Sequence, residues 1–294
     1  MTRLAGVELG GTKAMVVLGE GTDIVERVRF EVSEGAATLA PIVAQLADWN
    51  RKRRIDALGI ASFGPLGVTP GQAGYGRISD TTPKPGWAGT DLIEALRKAV
   101  EAPTAIHTDV TAAALAEGRW GSARGCRDYC YATIGTGIGI GIIAGGQPIR
   151  AALHPEAGHI RVRRSPGDSF PGSCPFHGDC VEGIASGSAL AARTGGRGKA
   201  LPDDDPVWTF VIDAIAECCA TLFLTLASER IILGGGVTNE RRFLTNAVAL
   251  RCAELLDGYL PYIENRAPIE AAALGQDAGP RGSLLLAESA LLRA

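Results

Sequence analysis

At 294 residues with 46% hydrophobic composition, the chain can bury one large core or two cores with a cleft between them. Lys plus Arg number 29 against 32 for Asp plus Glu, and the net charge of −3 gives no electrostatic basis for a nucleic-acid or membrane partner. The chain enters a strand pattern at once, no uninterrupted apolar run approaches the ~20 residues of a membrane span, and most of the cysteines sit in apolar or helical patterns, so a soluble protein of a reducing cytoplasm is expected.

In chain order, residues 4–9, 14–18 and 24–32 read as three antiparallel strands, the first two joined through Gly10-Gly11-Thr12-Lys13. Residues 39–54 have helical spacing (Leu39, Ile42, Val43, Leu46, Trp49), and 57–61 reads as a buried strand. The stretch 63–90, rich in Gly, Pro and Thr, is too long for a simple connector and is expected to be functional or a lid. A helix over 91–100, a strand over 104–108 and an Ala-rich helix over 111–120 follow, with Asp109 at the strand-to-helix junction. Then the opening pattern recurs: strand 129–134, turn Gly135-Thr136-Gly137, strand 138–144 and a further hairpin. Thr12 and Thr136 hold the same place in two copies of one supersecondary unit. Helices are expected over 184–193, 207–228 and 241–256, a strand over 230–233 before Gly234-Gly235-Gly236, and a closing helix over 284–292. This alternation implies α/β architecture. The domains are placed at 1–109, with 283–294 packing back on it, and 110–282.

Cys174, His177 and Cys180 stand three residues apart, a spacing that lets one knuckle present two thiolates and an imidazole to a tetrahedral ion. His159 is the favoured fourth ligand, with His154 its rival. Four protein ligands make the ion structural, and zinc suits them best. A Cys174 to Cys180 disulfide is the alternative. Glu156 and Glu182 flank the ligands, so closing the metal loop aims acceptors that suit a ligand rich in hydroxyl groups. Gly10-Gly11-Thr12 and Gly135-Thr136-Gly137 each bare backbone N–H groups beside a Thr hydroxyl, and as a pair they suit a polyphosphate. Gly234-Gly235-Gly236 allows either the approach of a flat nucleoside or close helix–strand packing. Asp109 can take a proton from an attacking hydroxyl or merely cap a helix. Glu8 can hold Mg²⁺ through water or stand as a charge on an exposed strand face.

Gly-Gly-Thr-Lys at 10–13, Asp109-Val-Thr-Ala-Ala-Ala, Gly135-Thr-Gly-Ile-Gly, Glu156-Ala-Gly-His159, the Cys/His knuckle and Gly234-Gly-Gly-Val resemble the ROK sugar kinases and repressors. The knuckle and Thr82-Pro-Lys-Pro-Gly-Trp are similar to the fructokinase branch. The resemblance implies a two-domain actin/hexokinase-like (ribonuclease H-like) fold with an interdomain cleft. It also implies phosphorylation of a hexose, D-fructose first, by ATP with Mg²⁺, and a homodimer. Position by position it implies Asp109 as base and Thr108, Asp109, Glu156, His159 and Glu182 about the sugar. Zinc falls to His159, Cys174, His177 and Cys180. ATP falls to Gly10, Gly11, Thr12, Lys13, Gly135, Thr136, Gly137, Gly234, Gly235 and Gly236. Glu8 replaces the Asp of many members, and Thr108 the Asn of glucose-type members. A repressor of this family needs a helix-turn-helix, and no basic helical extension precedes Leu4.

Overall fold

Alternating apolar and β-branched residues carry the first part of the chain through strands β1 (Arg3–Leu9), β2 (Lys13–Glu20) and β3 (Asp23–Glu31), in a computed structural model that describes residues 1–294. Helix α1 (Gly35–Lys52) lays Leu39, Ile42, Leu46 and Trp49 on this sheet, and β4 (Ala57–Ser62) follows it, buried throughout. Next come α2 (Leu92–Arg97), β5 (Thr104–Thr108) and α3 (Asp109–Trp120). The sheet order is β3-β2-β1-β4-β5, with β1, β4 and β5 parallel to one another. Strand β3 is one of the two edges, and it is exposed and charged, as an edge that avoids further pairing should be.

The stretch 63–90 is not a loose lid. Leu66, Val68, Ile78 and Trp87 are buried in the same core as α1, and backbone bonds such as Gly67 N to Arg77 O (3.1 Å) and Ile78 N to Thr90 O (2.9 Å) fold it on itself.

The second copy contains β6 (Tyr129–Ile134), β7 (Ile138–Ala144) and a short β8 (Gln147–Pro148). Helices α4 (Val181–Ala185), α5 (Gly187–Arg193) and α6 (Val207–Leu226) follow, then β9 (Arg230–Gly234), α7 (Gly236–Glu240), α8 (Phe243–Leu256) and β10 (Ile269–Ala271). Its sheet runs β10-β9-β6-β7-β8, so the repeat extends beyond the hairpins to the whole order of the first sheet. The helix expected over 184–193 lies within two helices, because Ser186 starts a new one, its Oγ accepting from Ala189 N at 3.1 Å. The helix expected over 241–256 is one helix that begins two residues later, at Phe243; Arg241, just ahead of it, has a buried guanidinium that donates to the carbonyls of Lys199 and Leu201. Helix α6, though interrupted by Asp213 and Glu217, is long and apolar enough by length and composition to match a bilayer, with mean hydropathy 1.8. It is nonetheless mostly buried in the protein, and its Asp213 accepts from Arg251 and Ser165.

The closing helix α9 (Ala278–Leu291) starts earlier than residue 283, with Pro280 in its first turn, where a missing N–H costs nothing. The chain forms two compact units, Met1–Ala116 with Pro148–His154 and Gln276–Ala294, and Glu117–Gln147 with Pro155–Gly275. The division runs through α3 rather than before it at residue 109. In the first unit α9 covers the sheet face opposite α1, where Leu284, Leu286 and Ala287 pack with Leu4, Ala57 and Ala61. The backbones meet at glycine: a Cβ on Gly59 would overlap the Ser283 carbonyl oxygen and lie 2.6 Å from the Ala287 nitrogen. Gly59→Ala is therefore expected to destabilise the protein by about 1–3 kcal/mol or more, read as a lower denaturant midpoint.

Candidate active site

In the first unit the carboxyl ends of β1, β4 and β5 deliver Glu8, the 63–90 segment and Asp109. The turn after β1 closes with Gly10 N donating to Lys13 O at 3.0 Å, and Thr12 is exposed. Lys13 turns its ammonium to Gln276, 3.1 Å away.

Asp109 begins α3, yet the cap of that helix is Thr108. The buried Thr108 hydroxyl accepts from Thr111 N at 3.3 Å and donates to Thr111 Oγ1 at 2.8 Å. Thr108 N in turn donates to Nδ1 of His107, a buried imidazole held neutral, its pKa pushed down to about 3 chiefly by burial, with His154 and Arg150 adding to the effect. Asp109 is thus not needed as a cap. Its Oδ1 accepts from the adjacent Val110 N–H at 2.9 Å. Burial raises the Asp109 pKa to about 6, against the pull of the Val110 and Asp109 amides and the Lys84 ammonium. Glu8 is raised to about 7 by burial and by the neighbouring Asp109, with Lys13 opposing.

In the second unit the turn after β6 closes with Gly135 N donating to Gly137 O at 2.9 Å and leaves Thr136 exposed. Residues not singled out from sequence hold this turn. Gly187 N donates to Gly135 O at 2.7 Å and Ser188 N to Thr136 O at 3.2 Å, which sets the start of α5 against it. Glu182 Oε2 accepts from Ile138 N at 3.0 Å, so one of its oxygens is spent on the turn. Gly235 (φ 94°) passes against the backbone of Ile134, where a Cβ would come within 2.5 Å of the carbonyl oxygen. Close packing at this glycine is therefore real, whatever ligand Gly234 and Gly236 also meet.

His159, Cys174, His177 and Cys180 bring their donor atoms within 4.8 Å of one another. His159 Nδ1 lies 3.7 Å from Cys174 Sγ and 3.5 Å from Cys180 Sγ, and His177 Nδ1 lies 3.7 Å from Cys174 Sγ. A tetrahedral zinc with its ordinary Zn–S and Zn–N lengths sets S···N separations of about 3.6 Å, so the four residues fit that ion. The cysteines are thiols and not a disulfide. His154 lies outside the cluster, its Nε2 accepting from Leu66 N at 3.1 Å within the first unit. Because Nδ1 of His159 faces the sulfurs, its Nε2 is turned to the opposite side of the ring. Glu156 is exposed just before the 3₁₀ turn Ala157–His159.

The ROK family model matches residues 4–290. The chain belongs to the ROK family. A fructokinase of Pediococcus pentosaceus is 39% identical over 294 residues, 99% of each chain. A fructokinase of Zymomonas mobilis subsp. mobilis is 36% identical over 298 residues, 97% of this chain and 96% of its own. The crystal structure of a ROK family glucokinase from Streptomyces griseus, in complex with glucose and AMPPNP, is similar with a TM-score of 0.78 at 25% identity, covering 98% of this chain and 99% of its own. The two sheets with their helices form the actin/hexokinase-like fold of ROK proteins.

The cluster makes a prediction independent of activity. Elemental analysis of the purified ROK protein should find about one zinc per chain, and Cys180→Ser should lose it. A protein that holds no metal after preparation in zinc-containing medium refutes the assignment.

Proposed function

We propose that the protein is an ATP- and Mg²⁺-dependent sugar kinase that converts D-fructose to fructose 6-phosphate. The observation that carries this reading is Asp109, a half-buried carboxylate at the end of β5 that Thr108 relieves of capping, in the unit that also carries the first Gly-Gly-Thr turn. Asp109 takes the proton of the attacking sugar hydroxyl. A loose phosphoryl-transfer transition state does not demand a strong base, so a carboxylate with a pKa near 6 is adequate at neutral pH.

The Gly10 to Thr12 and Gly135 to Gly137 turns present amides and exposed hydroxyls to the nucleotide phosphates, and Gly234 to Gly236 lets the nucleoside approach. Mg²⁺, when bound, neutralises charge on the phosphate oxygens, and Glu8 is the carboxylate suited to hold it through water. In the second unit, Glu156, His159 through Nε2 and the remaining oxygen of Glu182 are the polar groups for the sugar hydroxyls. Zinc on the knuckle is structural: it leaves no coordination position open and fixes the ring of His159. Thr108 acts on the sugar through Asp109, since its own hydroxyl is given to Thr111. Fructose is chosen because curated relatives that span the chain at 39% and 36% identity are fructokinases.

Asp109→Asn should lower kcat at least about 10²-fold. The wild-type kcat/KM should fall on the acid side with an apparent pKa near 6, shared with Glu8 as a coupled pair. The sign for stability is opposite to that for activity. A folded-state pKa above the ordinary value of 3.8 means that the native protein loses stability as pH rises through about 6, so at pH 8 the Asn variant should melt no lower than wild type. Retention of more than about a tenth of wild-type kcat would remove Asp109 as the base.

Steady-state kinetics with fructose, mannose, glucose and N-acetylmannosamine at matched Mg-ATP should give fructose the highest kcat/KM. Acceptors fixed on a metal-closed loop cannot re-aim at another hydroxyl pattern, and each unpaired buried group costs about 1–3 kcal/mol. A clear preference for glucose or the N-acetyl sugar refutes the fructose assignment and leaves the kinase reading in place.

A further inference from the structure

Lys84 lies in Thr82-Pro83-Lys84-Pro85-Gly86-Trp87, a segment with no role in the reading above. The segment is anchored by Trp87, which is buried and donates its Nε1 to the Ser33 carbonyl at 2.7 Å. Trp87 N donates to the Lys84 carbonyl at 3.3 Å, and its ring meets Phe63 edge-on with centroids 5.0 Å apart. Gly86 O accepts from Gly35 N at 3.1 Å, which ties the segment to the start of α1. The Lys84 side chain then crosses Phe63, its ammonium 4.9 Å from the ring centroid, and ends at the first glycine turn. There Nζ donates to the carbonyl of Gly11 at 2.9 Å. A Cβ on Gly11 would stand 3.2 Å from that nitrogen, so glycine permits the approach.

An ammonium has three donors, and Gly11 uses one of them. The charge also acts on Asp109, where it opposes the effect of burial. Lys84 itself is half-buried, and desolvation makes its charge costly, lowering its pKa. Covering Phe63 would need no charge, since a methionine would serve. Lys13, the other lysine of the turn, is directed to Gln276. The turn offers neutral amides, and Lys84 brings it a formal positive charge.

We propose that Lys84 is a catalytic residue that donates to an oxygen of the γ-phosphoryl group during its transfer. Its charge also favours the ionised form of Asp109. The proposal rests on the kinase reading. In the step, the sugar oxygen forms a bond to the γ-phosphorus. The bond from that phosphorus to the bridging oxygen breaks, its electron pair leaves with ADP, and the hydroxyl proton passes to Asp109. Charge spread over the equatorial oxygens of such a transition state is where a fixed cation is most effective.

The test compares Lys84→Met, which keeps the apolar stem, with Lys84→Arg, both at saturating Mg-ATP and with the hexose that the wild type prefers. For Lys84→Met, kcat should fall about 10²-fold or more while the sugar KM changes less than about threefold. Its acid limb in kcat/KM should move to higher pH, a shift that lost packing alone would not cause. Lys84→Arg should recover part of kcat. If Met lowers the melting temperature, Lys84→Gln is read by the same criteria. A folded variant that keeps kcat within about threefold of wild type, loses only sugar affinity, or leaves the acid limb in place overturns the proposal without touching the kinase reading. A wild type that phosphorylates no hexose in the panel removes that reading, and this proposal with it.

Discussion

Parallel pairing is the constraint on which the rest depends. Strands β1, β4 and β5 run the same way, as do β6, β9 and β10, so each sheet gathers the carboxyl ends of its parallel strands along one edge. Open α/β sheets bind ligands at that edge. Here the edge carries Glu8 and the glycine turn after β1, the Lys84 segment after β4 and Asp109 after β5. In the second unit it carries the turn after β6 and the glycines that end β9. Residues far apart in sequence become neighbours through pairing direction alone. The antiparallel hairpin partners β2 and β7 supply the return stroke that makes each turn tight.

The first unit sets burial against charge. Desolvation pushes both Glu8 and Asp109 towards the neutral acid, and each is opposed by a lysine from a different element. Lys13 comes from β2 and Lys84 from the folded segment. Burial without those cations would leave Asp109 protonated over a wider range of pH and less able to accept a proton. His107 shows the other outcome: nearly dry and with no carboxylate against it, it stays neutral and serves to seat Thr108. The protonation of Asp109 is thus governed by the neighbours that hold it rather than by its own type.

Much of this was legible in the sequence, for reasons that differ by element. Strands of the two copies announce themselves by alternation, and their turns by glycine, so β1, β2, β6 and β7 fall within a residue or two of expectation. The Cys174, His177, Cys180 spacing is local chemistry and needs no tertiary knowledge. What escaped was set by partners distant in sequence. Nothing local says that Arg241 will be buried against the 198–201 carbonyls. Ile269–Ala271 is too short to show a period, and exists as β10 because β9 offers it an edge. Thr108 looks like a ligand-facing residue beside Asp109 until its hydroxyl is found on Thr111. Lys84 enters the sequence reading only as part of the motif at 82–87, because its target, the carbonyl of Gly11, belongs to another turn.

The position of α9 bears on how the chain is made. The first unit begins the sequence, but the helix that seals one face of its sheet is encoded after the whole of the second unit. During synthesis, Gly6, Ala57, Gly59 and Ala61 therefore wait without the cover of Leu284 and Ala287, while the second unit can close as soon as it emerges. Folding in the order of translation is thus reversed for the two halves. The nascent first unit carries an apolar sheet face until the last helix of the chain is made.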